Sequence, residues 1–314
     1  MNVPKAFPYT QALLCHRVIS MRIATYRTAQ RVEVGVLSQD GSAVTPFDLP
    51  PQRAERGLLA LLETETAVLP LRDVDQPVEL ATVQLLAPIP RPRRNIFCVG
   101  KNYHEHVREI ALRGHDTTGG GEQAPEVPII FSKLPDCVIG PGAAILCDRK
   151  VSIQVDYEAE LAVIIGRRGR AIAPDEAMDH VWGYTIINDV TARDVQKRHK
   201  QWLLGKSQDT FCPMGPFAVT RDLLDHRATP IRLWVNDELR QNSTTEHMIF
   251  DIPTLIATIS AGITLYPGDI IATGTPGGVG AGFDPPRFLN AGDRVRIEIP
   301  PIGRLENRVL VTGD

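Results

Sequence analysis

The sequence predicts a β-rich α+β fold. Two observations carry this: many short runs of β-branched and apolar residues bounded by Gly, Pro, Asn and Asp, and only a few stretches with helical periodicity. With 314 residues, 43% of them hydrophobic, the chain can bury a substantial core, as one large domain or as one domain plus a small one. A net charge of −3 with dispersed basic residues gives no footprint for nucleic acid or a membrane surface, and no apolar run approaches the length of a membrane span. Five scattered cysteines without a Cys-x-x-Cys pair suit reduced thiols in a cytoplasmic protein better than disulfides or a zinc site.

Taken in order, residues 1–20 carry neither a core pattern nor site chemistry, and are expected to be a dispensable extension. Residues 21–90 read as a small α+β domain. Met21–Tyr26 and Val32–Leu37 are strands, Asp40-Gly41 is a turn, and Arg56–Thr64 is a short amphipathic helix. The stiff Pro88–Pro92 stretch marks a boundary, and residues 91–314 form the larger, chemistry-bearing domain.

Beyond the boundary, Asn95–Gly100 is a buried strand and Lys101–Ile110 turns helical. His104 and His106, two apart on a helix, point to nearly opposite sides and cannot chelate one ion together. His106 and Glu109, three apart, can meet, as a surface ion pair or as an imidazole held in one tautomer for base catalysis. Ala111–Pro128, with Gly119-Gly120-Gly121, is a lid or a surface insertion. Ile129–Lys133 is a strand whose terminal Lys133 could steady an anionic substrate.

Asp156-Tyr157-Glu158-Ala159-Glu160-Leu161-Ala162-Val163-Ile164-Ile165-Gly166 is the stretch around which the chain is organised. As a strand it puts Asp156, Glu158 and Glu160 on one face and Tyr157, Ala159, Leu161, Val163 and Ile165 on the other, toward a core. Carboxylates in a row repel unless something positive sits among them. Either the face is solvated at a sheet edge, or a hard divalent cation occupies it. The strand-like Trp182–Asp189 run ends in a further acid, Asp189, where a neighbouring strand could bring it beside Glu158 and Glu160. Val190–Arg198 looks helical, with Arg193 and Gln196 on one face, and Lys206 sits in a Gly/Pro-punctuated loop. Further strands surround a helix at Ile252–Ile259. The Gly277-Gly278-Val279-Gly280 loop lacks the Gly-Lys-Ser/Thr ending of a P-loop, and reads as backbone N–H groups approaching a small carboxylate, with the Thr275 hydroxyl alongside.

Tyr157-Glu158-Ala159-Glu160-Leu161, Asn188-Asp189-Val190-Thr191-Ala192-Arg193-Asp194, Gly205-Lys206-Ser207, Gly100-Lys101-Asn102-Tyr103 and Gly274-Thr275-Pro276-Gly277-Gly278-Val279-Gly280 together resemble the fumarylacetoacetate hydrolase family, in its acylpyruvate hydrolase and 2-hydroxyhepta-2,4-diene-1,7-dioate isomerase-like branch. The resemblance runs from Asn95 to the C-terminus. It implies a mixed β-sandwich roll, usually dimeric, and a divalent-metal enzyme (Mg²⁺, or Mn²⁺ or Ca²⁺) for small oxo-acids. Glu158, Glu160 and Asp189 would be its metal ligands, and the His106–Glu109 dyad its preferred base.

The first functional expectation is hydrolysis of a C–C bond in an acylpyruvate-like diketo acid. The metal would chelate the α-keto carboxylate, Lys206 would help to stabilise the enolate, and Glu109 with His106 would activate water. Arg193, Gln196 and Thr275 would orient the remaining substrate oxygens. The alternative uses the same enolate without water, for keto–enol isomerisation or decarboxylation. An alternative of another class, a catalytically silent metal-binding scaffold, fits less well with an intact set of acids, His106, Glu109 and Lys206.

Overall fold

The computed structural model describes residues 20–64, 69–74 and 76–313; the extension expected at 1–20 therefore lies almost wholly outside the described residues. Its largest element is a twelve-stranded sheet. The main path runs Val78–Glu79, Ala43–Pro46, Val32–Leu37, Arg22–Arg27, Cys212–Thr220, Val181–Asn188, Ala159–Ile165, Ile270–Ala272, Ile96–Gly100 and Ile129–Lys133. A five-stranded sheet follows the order Glu238–Thr244, Pro230–Val235, Arg294–Ile299, Gly303–Thr312 and Ala144–Asp148. Most neighbours are antiparallel, but Ile270–Ala272 with Ile96–Gly100 and Gly303–Thr312 with Ala144–Asp148 are parallel, so both sheets are mixed. The β-rich α+β class read from the sequence is the class observed.

Ala159–Ile165 lies inside the large sheet, between Val181–Asn188 and Ile270–Ala272, and not at an edge. Its two faces supply two cores. Tyr157, Ala159, Leu161, Val163 and Ile165 join Leu233, Ile297 and Leu305 of the smaller sheet and Leu255 and Ile256 of the helix Ile252–Ser260. Ala162 and Ile164 meet Ile23, Leu58, Ile89 and Ile96 on the opposite side. A strand covered on both faces accepts a near-continuous apolar run, which is what Leu161–Ile165 provides. The smaller sheet has one buried face, hence the strict alternation of Ile231, Leu233 and Val235 with more exposed neighbours.

The N-terminal hairpin pairs as expected, and Arg22–Arg27 also adds to the large sheet, with Ile23 opposite Ala218. The helix expected at Arg56–Thr64 is replaced by two single turns, Pro51–Ala54 and Leu59–Leu62. Gly57 separates them at φ 61°, in the left-handed region, and a Cβ there would lie 2.3 Å from the Pro88 carbonyl oxygen. That backbone contact overrides helical periodicity.

Candidate active site

The site begins where the central strand starts. The ladder between Ala159–Ile165 and Val181–Asn188 puts Ala159 opposite Asn188, and the Asp189 N–H donates to the Glu158 carbonyl at 2.9 Å. Asn188 Oδ1 accepts the Glu158 N–H at 3.0 Å, locking the junction. Two strand ends that differ widely in sequence therefore bring Glu158, Glu160 and Asp189 together, buried, with one ligand oxygen from each within 4.8 Å of the others. Asp156 departs from the expected acidic face. The strand is interrupted after it, and its carboxylate accepts from Arg193 Nε at 2.9 Å, Gly280 N at 2.7 Å and Ala281 N at 3.0 Å. It anchors the loop around Gly280 and takes no part in the triad.

Basic side chains frame the triad. Lys206 Nζ bridges Glu158 Oε2 at 2.8 Å and Asp189 Oδ2 at 2.6 Å. Arg193 Nη2 lies 2.7 Å from Glu158 Oε1, although its N–H is not aligned for a hydrogen bond. Burial would push the Glu158 carboxyl up, but Lys206 and Arg193 outweigh it and hold the group at about 2. Glu160 has the opposite fate: burial, Asp189 and Glu158 push its carboxyl well above the ordinary value, outweighing the nearby Lys206 charge and a 2.8 Å hydrogen bond from Gly274 N. Three buried carboxylates, one of them short of positive charge, are a donor set suited to a hard divalent cation. Gly274, at φ 98°, reaches Glu160 only because it has no Cβ, which would lie 2.8 Å from the Asn102 Cβ.

The second part of the site sits on the helix His104–Leu112. His104 is exposed and His106 buried, so the two histidines do point apart. His106 Nδ1 is 2.8 Å from Glu109 Oε1. Glu109 Oε2 accepts the Gly278 N–H at 2.7 Å, which fixes the carboxylate as an acceptor and makes Nδ1 the protonated nitrogen. His106 Nε2 is thereby left as the basic atom. The Gly277–Gly280 loop thus holds carboxylates of the protein itself, Glu109 and Asp156.

One cavity gathers His106, Glu158, Arg193, Gln196, Lys206 and Thr275. Lys133, expected to steady a substrate, is instead fully buried and spends its ammonium on Asp189 Oδ1 and on the Val190 and Lys206 carbonyls. The Ala111–Pro128 stretch, read as a lid or a surface insertion, contributes His115 and Thr117 to the cavity wall; Thr117 accepts from Trp202 Nε1 at 2.7 Å, and Asp116 and Thr118 bind Lys101. Sequence reasoning passed over Gln241. Its side chain accepts the Ala159 N–H at 2.9 Å and donates to Thr275 Oγ1 at 2.9 Å and the Pro276 carbonyl at 2.8 Å. A glutamine in an alternating strand carries no signal for such a role. Lys101, quoted above as part of the Gly100–Tyr103 motif without a role of its own, takes φ 55°, a conformation that costs a non-glycine residue ~1–3 kcal/mol.

Residues 95–310 match the model of the fumarylacetoacetate (FAA) hydrolase C-terminal family. The chain is 50% identical over 231 residues to the oxaloacetate tautomerase YisK of Bacillus subtilis (strain 168), spanning 73% of this chain and 74% of that protein. It is 40% identical over 302 residues to the mitochondrial oxaloacetate tautomerase fahd2 of Xenopus laevis, spanning 93% and 91%. Among solved structures, the fumarylacetoacetate hydrolase of psychrophilic Exiguobacterium antarcticum superposes with a TM-score of 0.78 at 41% identity, covering 93% of this chain and 100% of that one. With its buried acidic triad in a matching framework, the chain belongs to the fumarylacetoacetate hydrolase family.

Proposed function

We propose that the protein is a metal-dependent keto–enol tautomerase of a small 2-oxo acid of the oxaloacetate kind. The isomerase alternative is thereby preferred to the hydrolase expected first, because the relatives at 50% and 40% identity are named oxaloacetate tautomerases. The structural observation that carries the reading is the His106–Glu109 pair at 2.8 Å, which leaves Nε2 basic beside a cavity that also contains Lys206.

In the keto-to-enol direction, His106 Nε2 takes a proton from C3 and the C–H electron pair becomes the C2–C3 double bond. Negative charge moves to the C2 oxygen, where the Lys206 ammonium compensates it. Lys206 or the imidazolium then returns a proton to that oxygen. Glu109 keeps the ring oriented through its 2.8 Å contact with Nδ1, while Arg193, Gln196 and Thr275 align the substrate oxygens. A divalent cation held by Glu158, Glu160 and Asp189, Mg²⁺ or Mn²⁺ by the oxygen donor set, would polarise the 2-oxo group as a Lewis acid. The dimer implied by the resemblance belongs to the same proposal. Leu146 and Leu310, side by side in the edge ladder and 42% and 51% exposed, support it.

The test follows the ultraviolet absorbance of enol-oxaloacetate as it relaxes to the keto form, with Mg²⁺ and with chelator, beside acetylpyruvate cleavage. The expected result is a metal-dependent acceleration of relaxation far exceeding any cleavage. Efficient cleavage of acetylpyruvate with no effect on oxaloacetate relaxation would return the reading to a hydrolase.

A further inference from the structure

Three cationic side chains line the cavity: Lys101, Arg193 and Lys206. Two are committed to the acids of the site, Lys206 to Glu158 and Asp189, Arg193 to Asp156 and Glu158. Lys101 is different. It is 4% exposed, and its ammonium lies 2.7 Å from Asp116 Oδ1 and 2.7 Å from Thr118 Oγ1, both on the loop that follows the helix His104–Leu112. Asp116 is bound into that loop as a unit, accepting from Thr118 N and Gly121 N at 2.8 Å each. His115 and Thr117 of the same stretch are part of the cavity wall.

Lys101 and, on either side of Asp116, His115 and Thr117 line the same cavity. A substrate entering along this wall meets the 115–118 stretch, and displacing that stretch takes Asp116 away from Lys101. A buried ammonium stripped of its carboxylate needs a new anion. A 2-oxo acid whose 2-oxo carboxylate end faces the triad would bring one only if it carries a second carboxylate at its far end.

We propose that Lys101 binds the distal carboxylate of a dicarboxylic 2-oxo acid, and that Asp116 occupies that position while the site is empty. The inference rests on the oxo-acid reading above and assigns to Lys101 the recognition of the second carboxylate. The left-handed backbone of Lys101 fits the role, since it turns a charged side chain into the cavity at a position where glycine would be unstrained.

The test compares two ligands that differ only in the distal carboxylate, malate and lactate, titrated calorimetrically into the full-length protein with Mg²⁺ present. Wild type should prefer malate by at least ~10-fold, the factor for one charge-assisted hydrogen bond. In Lys101→Met the preference should fall to within ~2-fold, through weaker malate binding with lactate unchanged. Asp116→Asn, which removes the competing anion, should tighten malate and leave lactate unaffected. Lys101→Gln provides the same comparison should the methionine variant fail to fold. An unchanged malate-to-lactate ratio in the lysine variants, or equal weakening of both ligands in all variants, would overturn the proposal and reduce the pair to a loop fastening. Because binding is read without turnover, a malate preference in an enzyme that does not tautomerise oxaloacetate would sink the proposed function alone.

Discussion

Lys133 places its ammonium 2.7 Å from Asp189 Oδ1, and neither side chain reaches solvent. Burial alone would lower the lysine's pKa; Asp189 reverses this and raises it above the ordinary value, so the pair is ionic. Lys133 also bonds the Val190 and Lys206 carbonyls, tying one triad acid to the segment that carries the Lys206 side chain.

Lys133→Met should therefore act on stability as well as on the site. Removing one partner of a buried ion pair typically costs ~3–5 kcal/mol, because the other charge is left uncompensated. Urea unfolding should show a loss of that size, accompanied by weaker divalent-metal binding. A variant with a wild-type midpoint would mean that the pair contributes nothing to the fold.

Glu160 titrates in the direction opposite to Glu158. Its folded-state pKa is raised, so in the metal-free protein its contribution to stability is full below the ordinary 4.5 and is lost as pH rises through the raised value. Glu160→Gln should consequently raise the Tm of the metal-free protein at pH 7, by ~3 °C for each ~1 kcal/mol relieved, and the gain should vanish below the ordinary carboxylate pKa. The same variant should lose the stabilisation that saturating Mg²⁺ or Mn²⁺ gives wild type, ~2.7 kcal/mol at a hundredfold excess over Kd. Undiminished metal stabilisation in Glu160→Gln would remove this residue from the ligand set.

His106→Ala should lower oxaloacetate tautomerisation by ~10²–10⁴-fold, the usual worth of general acid–base assistance. Any decarboxylation of oxaloacetate should fall far less, since carbon dioxide leaves without a base. Glu109→Gln should lower the rate by a smaller factor, since it loosens the 2.8 Å contact that orients the same imidazole. Equal losses of tautomerisation and decarboxylation in His106→Ala, with metal still bound, would argue that the dyad is not the base.

Gln241→Leu removes an acceptor from the Ala159 N–H and a donor from Thr275 and Pro276, all within the buried site. Orphaned buried polar groups cost ~1–3 kcal/mol each. Thermal unfolding should register a destabilisation of at least that size, and KM should rise as Thr275 loses its orientation. A stable variant with unaltered KM would reduce Gln241 to a replaceable strand residue.

Much of this protein was decided by local sequence. The alternating runs at Ile231–Val235 and Val295–Ile299 can bury one face only as strands, and the i,i+3 spacing of His106 and Glu109 on a helix is sufficient to bring them into contact. The Glu-x-Glu spacing likewise put Glu158 and Glu160 within reach of one ion. The tertiary structure alone decided the rest. Whether the acidic strand lay at an edge or in the middle depended on pairing with Ile270–Ala272, more than a hundred residues away. Lys133 turned from a substrate contact into the buried partner of Asp189, and Asp156 left the acidic face to hold the Gly280 loop. Gln241 became the support of Thr275 through bonds spanning up to 82 residues. Periodicity reports which face of an element is apolar. It carries no information on which distant backbone or charge will meet a polar side chain once two sheets close on one another, and that meeting sets each group's burial, charge state and role.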